Sequence, residues 1–405
     1  MKKVFLMLLL VSFVSCRAQT SFDSKIVYTS TLETFEPLSH WEEALKGVEI
    51  LALGENTHGM AEVFKAKTDL VKFLHEELGF NLVLFESGFG DAALAWEKLD
   101  SMSAEVFTRS FTSNFYYHSS EIKDLMDYVK AQNKTLKIQG FDCQPQQDFL
   151  IQRMTQIIQP IDSIFAKSVK NEMRNFNQLY QYEQNKDSVN FYKTRERFIS
   201  FLKEYDAKLE DSKLQLLKNG TTSNEIETLK RSNDIFRETY EAIKLGEILG
   251  WPISNNIRDA ALFNIVEWFR ANHPGEKIII WAQNSHIENL PKPNYNVTWM
   301  GHLLKETYGE KYYSVGSVVY RGNDLRYSGV TSFEHNDTTY LANHLHAYQK
   351  KAFVLDLRKY PKNDFLSQPL LGMENNGNTA QFIAKERFDG VLFIDSTDIP
   401  TLFEK

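Results

Sequence analysis

Short apolar runs recur along this chain between longer segments of helical periodicity. They fall at Glu49–Leu53, Asn81–Phe85, Leu136–Phe141, Lys277–Ala282, Tyr312–Val318, Ala352–Leu355 and Gly390–Ile394. Alternation of this kind predicts a largely parallel central sheet flanked by crossover helices, an α/β fold. The helix signal is strongest from Gly59 to Leu78. There Met60, Val63, Phe64, Leu70, Val71, Leu74 and Leu78 recur at three and four and form one apolar stripe.

Between Asp142 and Trp251 the character changes. Glycine is absent from Phe141 to Asn219, and after Pro145 the only proline there is Pro160. Lys, Glu, Gln and Asn dominate, with Leu and Phe at helical spacing. The stretch predicts an inserted all-helical subdomain of three or four long helices, ending near Gly246–Pro252. Residues 20–145 and 251–405 would then form a discontinuous α/β core, with 146–250 as the insert and one wall of a cleft.

Residues 1–19 stand apart. Lys2 and Lys3 precede an apolar run from Val4 to Val14, followed by the small residues Ser15 and Ala18. The run is too short to span a bilayer, so it predicts a secretory signal peptide and an exported protein, periplasmic or extracellular. Two processing routes are open. Cleavage after Ala18 frees the chain, whereas cleavage before Cys16 leaves a lipidated cysteine and an outer-membrane lipoprotein. The other cysteine is Cys143, so no disulfide framework exists. A net charge of −7 without a basic stripe argues against a nucleic-acid partner.

Residues 51–60, LALGENTHGM, join the first strong strand to the patterned helix. The spacing predicts a helix cap at Asn56 or Thr57, with Glu55 and His58 at the strand-to-helix corner where α/β sheets hold ligands. A neutral imidazole at a helix start can accept a proton; equally, His58 could cap the helix while Glu55 is a solvated loop acid. Similar groups close the other runs: Glu86 ends NLVLFE, Asp142 ends LKIQGFD, and Gln283 and His286 follow KIIIWA. Each alone reads as a helix cap, but together they predict convergence on one rim. Two cations sit inside apolar patterns. Lys67 lies between Phe64 and Leu70, and Arg258 lies among Ile257, Ala261, Leu262, Ile265 and Phe269. Burial would require pairing with Glu55, Glu86 or Asp142; the alternative is that their stems lie on apolar surface and their heads reach water.

Residues 54–86, GENTHGMAEVFKAKTDLVKFLHEELGFNLVLFE, resemble the signature of the erythromycin esterase-like family, which includes macrolide esterases and succinoglycan-biosynthesis-type hydrolases. That signature runs Gly-Glu-x-x-His-Gly, a Lys or Arg nine residues after the His, and a Glu closing the next strand. Further segments agree in order: Gly140–Asp142, Arg258-Asp259, WAQNSH at Trp281–His286, Trp299–Gly316 and Phe388–Asp395. The resemblance implies a cleft between an α/β core and a helical insert, a place in antibiotic response, and no cofactor. It also implies hydrolysis of a small-molecule ester or lactone by His-activated water without a covalent intermediate. Carried onto this chain, His58 would be the general base and Glu55 and Glu86 would orient it or the water. Arg258 would hold the acids or the developing oxyanion, with Lys67, Asp142, Gln283 and His286 in support. One departure stands out. Where the family commonly has His-Asn-x-His, this chain has Gln283-Asn284-Ser285-His286, and a glutamine donates hydrogen bonds but shuttles no proton near neutral pH. Two other readings remain: Mn²⁺ or Zn²⁺ held by Glu55, His58, Glu86, Asp142 and His286, and a non-catalytic envelope protein that binds a ligand in the cleft.

Overall fold

The computed structural model describes residues 26–30, 32, 34–112, 115–144, 148–242, 251–291, 296–360, 364–373 and 379–404. The leader with Cys16, and Gly246 in the expected insert boundary, lie outside the described residues.

The strands are β1 (Val27–Thr29), β2 (Glu36–Pro37), β3 (Ile50–Leu53), β4 (Phe80–Gly88), β5 (Lys137–Asp142), β6 (Lys277–Trp281), β7 (Tyr312–Arg326), β8 (Gly329–Glu334), β9 (Ala352–Asp356), β10 (Leu370–Met373), β11 (Thr379–Phe382) and β12 (Gly390–Thr397). The main sheet has the order β2-β1-β9-β12-β7-β3-β6-β4-β5, with β8 paired to β7; β10 and β11 form a separate hairpin. From β12 through β5 the neighbours are parallel, so six strands end on one rim, while β9 runs antiparallel to β12. The sheet is α/β and mostly parallel, and every predicted apolar run is a strand in it. β7 runs on to Arg326 because its distal half pairs with β8 in an antiparallel hairpin.

Both faces of the central strands are buried, as parallel strands covered by crossover helices must be. Leu51 and Leu53 of β3, Val83 and Phe85 of β4, and Ile279 and Trp281 of β6 face one core with the helix Ala61–Leu78. The alternate residues Ile50, Ala52, Leu82, Leu84, Ile278 and Ile280 face the other, against Leu262, Ile265 and Phe269 of the helix Trp251–Asn272. Five helices occupy 148–241, at Asp148–Ile158, Ser163–Gln184, Ser188–Asp211, Lys213–Lys218 and Ser223–Glu241, one or two more than expected. They carry a third apolar cluster of their own, joined to the rest through Leu94.

The helix after the first motif begins at Ala61, later than expected, and ends at Gly79 in the left-handed conformation that glycine allows. Its N-cap is Met60, without a side-chain cap bond. The expected caps are engaged elsewhere: Thr57 donates to Asp324 (2.6 Å), and Asn56 accepts from Ser317 (2.8 Å). His58 therefore precedes the helix and does not sit in its first turn.

Gly54 is required by a close approach. A Cβ there would lie 2.1 Å from Asn284 Oδ1 and 3.1 Å from the Val315 carbonyl. Asn284 is itself fixed, bonding both the amide and carbonyl of Ser317. Gly54→Ala is expected to lower stability by roughly 1–3 kcal/mol, as overpacking of a filled interior does. An unchanged thermal midpoint would contradict this.

Candidate active site

Glu55 lies two residues beyond β3 with no exposed side-chain surface. Four donors meet its carboxylate. His58 Nδ1 (2.6 Å) and the Tyr117 hydroxyl (2.6 Å) reach Oε1, while Lys67 Nζ (2.8 Å) and Trp281 Nε1 (3.1 Å) reach Oε2. Burial alone would raise its pKa, but Lys67 and His58 outweigh burial and hold the carboxyl below its ordinary value. An ionised carboxylate accepts only, so Nδ1 of His58 must carry a proton to lie beside it. In the neutral ring Nε2 is then a free lone pair; among the described residues no hydrogen bond reaches it. The Tyr117 hydroxyl is also 2.7 Å from His58 Nδ1. Burial and then Glu55 keep this phenol protonated well above its usual range, so it remains a donor to Glu55.

Lys67 is buried outright, with no exposed side-chain surface, so its head does not reach water. Its ammonium lies 4.1 Å from the centre of a Trp281 ring, which adds a cation–π contact to the ion pair. Burial pushes its pKa down to about 8 despite Glu55.

A second group gathers at the ends of β4 and β5. Arg258 grips Asp142 through Nε (3.3 Å) and Nη2 (2.6 Å), and its Nη2 also reaches Glu86 (3.1 Å). One-fifth of the Arg258 side chain remains exposed. His286 donates from Nδ1 to Asp259 (2.8 Å). Its Nε2 is 3.0 Å from Arg258 Nη1, which donates to the neutral ring, and 3.5 Å from Glu86, which binds the charged one. Burial opposes charge on His286, but Asp259 and Glu86 prevail and raise its pKa. Gln283 donates its backbone N–H to Glu86 (2.8 Å). The two groups are in electrostatic reach, since His58 helps to depress the pKa of Glu86.

The structure therefore joins Glu55, His58 and Lys67 in one cluster, and Glu86, Asp142, Arg258 and His286 in the next, with Gln283 entering through its backbone. Tyr117, Trp281 and Asp259 complete the clusters without having been singled out. Only Tyr117 lacked a motif of its own; the aromatic run Phe115-Tyr116-Tyr117 was its one sequence signal. As a metal site the set does not fit. Lys67 and Arg258 occupy the carboxylate faces a metal would use, and among the described residues no three His, Cys, Asp or Glu are grouped to hold one.

Burial alone would raise the Glu86 pKa, but His286, Arg258 and His58, with the Gln283 amide, bring it from 4.5 to about 2. Because the folded value lies below the unfolded one, ionised Glu86 stabilises the fold above about pH 4.5. That contribution, about 3 kcal/mol, is lost as pH falls towards 2. Thermal midpoints between pH 5 and 2 should fall less steeply for Glu86→Gln than for the wild type; parallel curves would show that this carboxylate is not the group responsible.

Known proteins share this framework. The erythromycin esterase family profile matches residues 75–397. A putative hydrolase, YbfO of Bacillus subtilis (strain 168), is 24% identical over 396 residues, covering 87% of this chain and 85% of its own length. Erythromycin esterase type II of Escherichia coli is 23% identical, covering 72% of this chain and 73% of its own. Among solved structures, a Bacillus cereus protein superposes with a TM-score of 0.66 at 21% identity, covering 94% of this chain and 97% of the other. A variant of the erythromycin esterase EreC, in its open conformation, does so at 0.59 and 16% identity, covering 94% and 100%. The profile covers well over half of the chain, from the end of the helix Ala61–Leu78 through β12, with Glu55, His58 and Lys67 lying before the matched stretch, and this chain belongs to the erythromycin esterase family.

Proposed function

We propose that this protein is an exported hydrolase that cleaves a carboxylic ester or lactone by direct attack of water. Membership of the family supports hydrolysis as the class of reaction. The observation that carries the mechanism is the His58 ring, held through Nδ1 on the buried Glu55 carboxylate at 2.6 Å, with no hydrogen bond to Nε2 among the described residues. In this reading Nε2 takes a proton from water as the water oxygen bonds to the carbonyl carbon. Glu55 stabilises the imidazolium, and Arg258 supplies positive charge beside the forming oxyanion. On collapse the carbon–oxygen bond to the alcohol breaks, and the imidazolium returns its proton to the leaving alkoxide. Export rests on the Lys2-Lys3 leader and its apolar run.

A panel of esters and lactones turned over in ¹⁸O-labelled water, with enzyme in excess, tests the mechanism. One labelled oxygen in the acid product of the first turnover is expected, with no mass added to the protein. A trapped acyl-protein adduct would overturn direct attack. Activity lost to chelator and restored by Mn²⁺ or Zn²⁺ would point to the metal route. Saturable binding without turnover would point to a ligand-binding protein.

A further inference from the structure

The hairpin of β7 and β8 projects beyond the sheet rim and is fastened to the His58 loop. Asp324, fully buried, accepts from Thr57 through Oδ1 (2.6 Å) and from Arg326 through Oδ2 (2.7 Å). Leu325 N–H donates to the Gly59 carbonyl (3.1 Å), and the backbones pack so closely that a Cβ on Gly59 would lie 2.0 Å from the Leu325 carbonyl oxygen. What the hairpin tip presents is therefore held in register with His58.

The tip presents Tyr327, 81% exposed. Lone exposed aromatics are ordinary and need no explanation, but this ring is not alone. It meets Tyr116 edge-on at 5.3 Å and Phe115 at 5.5 Å between ring centres, and Phe115 is itself exposed. The Tyr116 ring, buried, lies 6.2 Å from the His58 ring, and its hydroxyl bonds the Tyr327 backbone. An aromatic run thus leads from solvent at the hairpin tip to the imidazole in two ring-to-ring steps. A substrate ring lying on Tyr327 and Phe115 would find His58 one ring further in.

We infer that Phe115, Tyr116 and Tyr327 form a subsite that selects esters carrying a ring with an apolar face, over open-chain esters. The inference rests on the hydrolase reading above for its substrate class. Aromatic pairs contribute enough beyond area burial to shift affinity by several-fold each.

The test separates binding from turnover. Binding is read with the non-hydrolysable amide N-(2-naphthyl)acetamide, by fluorescence, in a His58→Ala background. Turnover is read as the ratio of kcat/KM for 2-naphthyl acetate to that for ethyl acetate. Tyr327→Ala is expected to weaken amide binding about tenfold and to reduce the ester ratio through KM, while Tyr327→Phe restores both. Since Tyr327 is exposed, thermal midpoints should match the parent and exclude misfolding. If the amide does not bind, or binds Tyr327→Ala as tightly as the parent, the subsite is overturned. If neither these acetates nor any ester or lactone of the panel above is hydrolysed, yet binding depends on Tyr327, the hydrolase reading fails and the subsite stands.

Discussion

His58→Ala is expected to reduce kcat/KM for the ester substrate by about 10²–10⁴-fold, the usual worth of a positioned general base. The fold should survive. The side chain is 17% exposed, precedes the helix Ala61–Leu78 and touches the core at its margin, edge-on to the Tyr117 ring at 5.2 Å. Its removal takes one of four donors from Glu55, while Tyr117, Lys67 and Trp281 remain. That is a cost of about 1 kcal/mol, or about 2 °C in thermal midpoint for a chain of this size. The paired readout matters, because a loss of activity accompanied by unfolding would say nothing about chemistry. A variant that hydrolyses at the wild-type rate would remove His58 from the mechanism, and Glu55, which acts only through it, would go too.

How much of this could be read from the sequence depended on how local each signal was. The buried strands were legible because β3, β4 and β6 are apolar on both faces and bounded by polar residues. The edge elements were not. β8 and β11 alternate between exposed and half-buried residues and carry no apolar run, while β1 and β2 are three and two residues long. The helix start was misplaced for a related reason. Asn56 and Thr57 have the chemistry of caps, but their side chains are satisfied by Ser317 and Asp324, 261 and 267 residues away. Local capping rules cannot weigh such partners.

The candidate site divides along the same line. That Lys67 and Arg258 interrupt apolar stripes was visible, because burying a cation is costly enough to demand a partner. Which acid each would take was not visible: Lys67 takes Glu55, whereas Arg258 takes Asp142 and Glu86 together. Tyr117 contacts Glu55 across 62 residues, from a single 3-10 turn, Phe115–Tyr117, too short to show a periodicity.

Arg258→Ala is expected to destabilise the protein by roughly 3–5 kcal/mol, the cost of leaving buried charge unpaired. The residual exposure of its side chain places the effect at the lower end. Asp142 has no exposed side-chain surface and Glu86 only 6%, and Arg258 is the cation common to both. Without it two carboxylates remain at the ends of β4 and β5, and His286, 3.5 Å from Glu86, is left to offset that acid. Lys67→Met should behave differently. The folded pKa of Lys67, about 8, lies below its ordinary 10.5, so the charged lysine costs stability below pH 8, and that cost is relieved as pH rises from 8 to 10.5. Burial there exceeds what Glu55 returns, whereas burial at Arg258 is outweighed by two acids, which raise its pKa further. Chemical denaturation at pH 7 should therefore rank Arg258→Ala as the more destabilised, with Arg258→Lys between it and wild type, because one ammonium cannot reproduce the fork onto Asp142. If Lys67→Met proves the more destabilised, the Glu55 cluster and not the Arg258 cluster is the electrostatic keystone of the rim. If Arg258→Ala leaves stability unchanged, water already solvates Glu86 and Asp142, and the depressed pKa of Glu86 needs another cause.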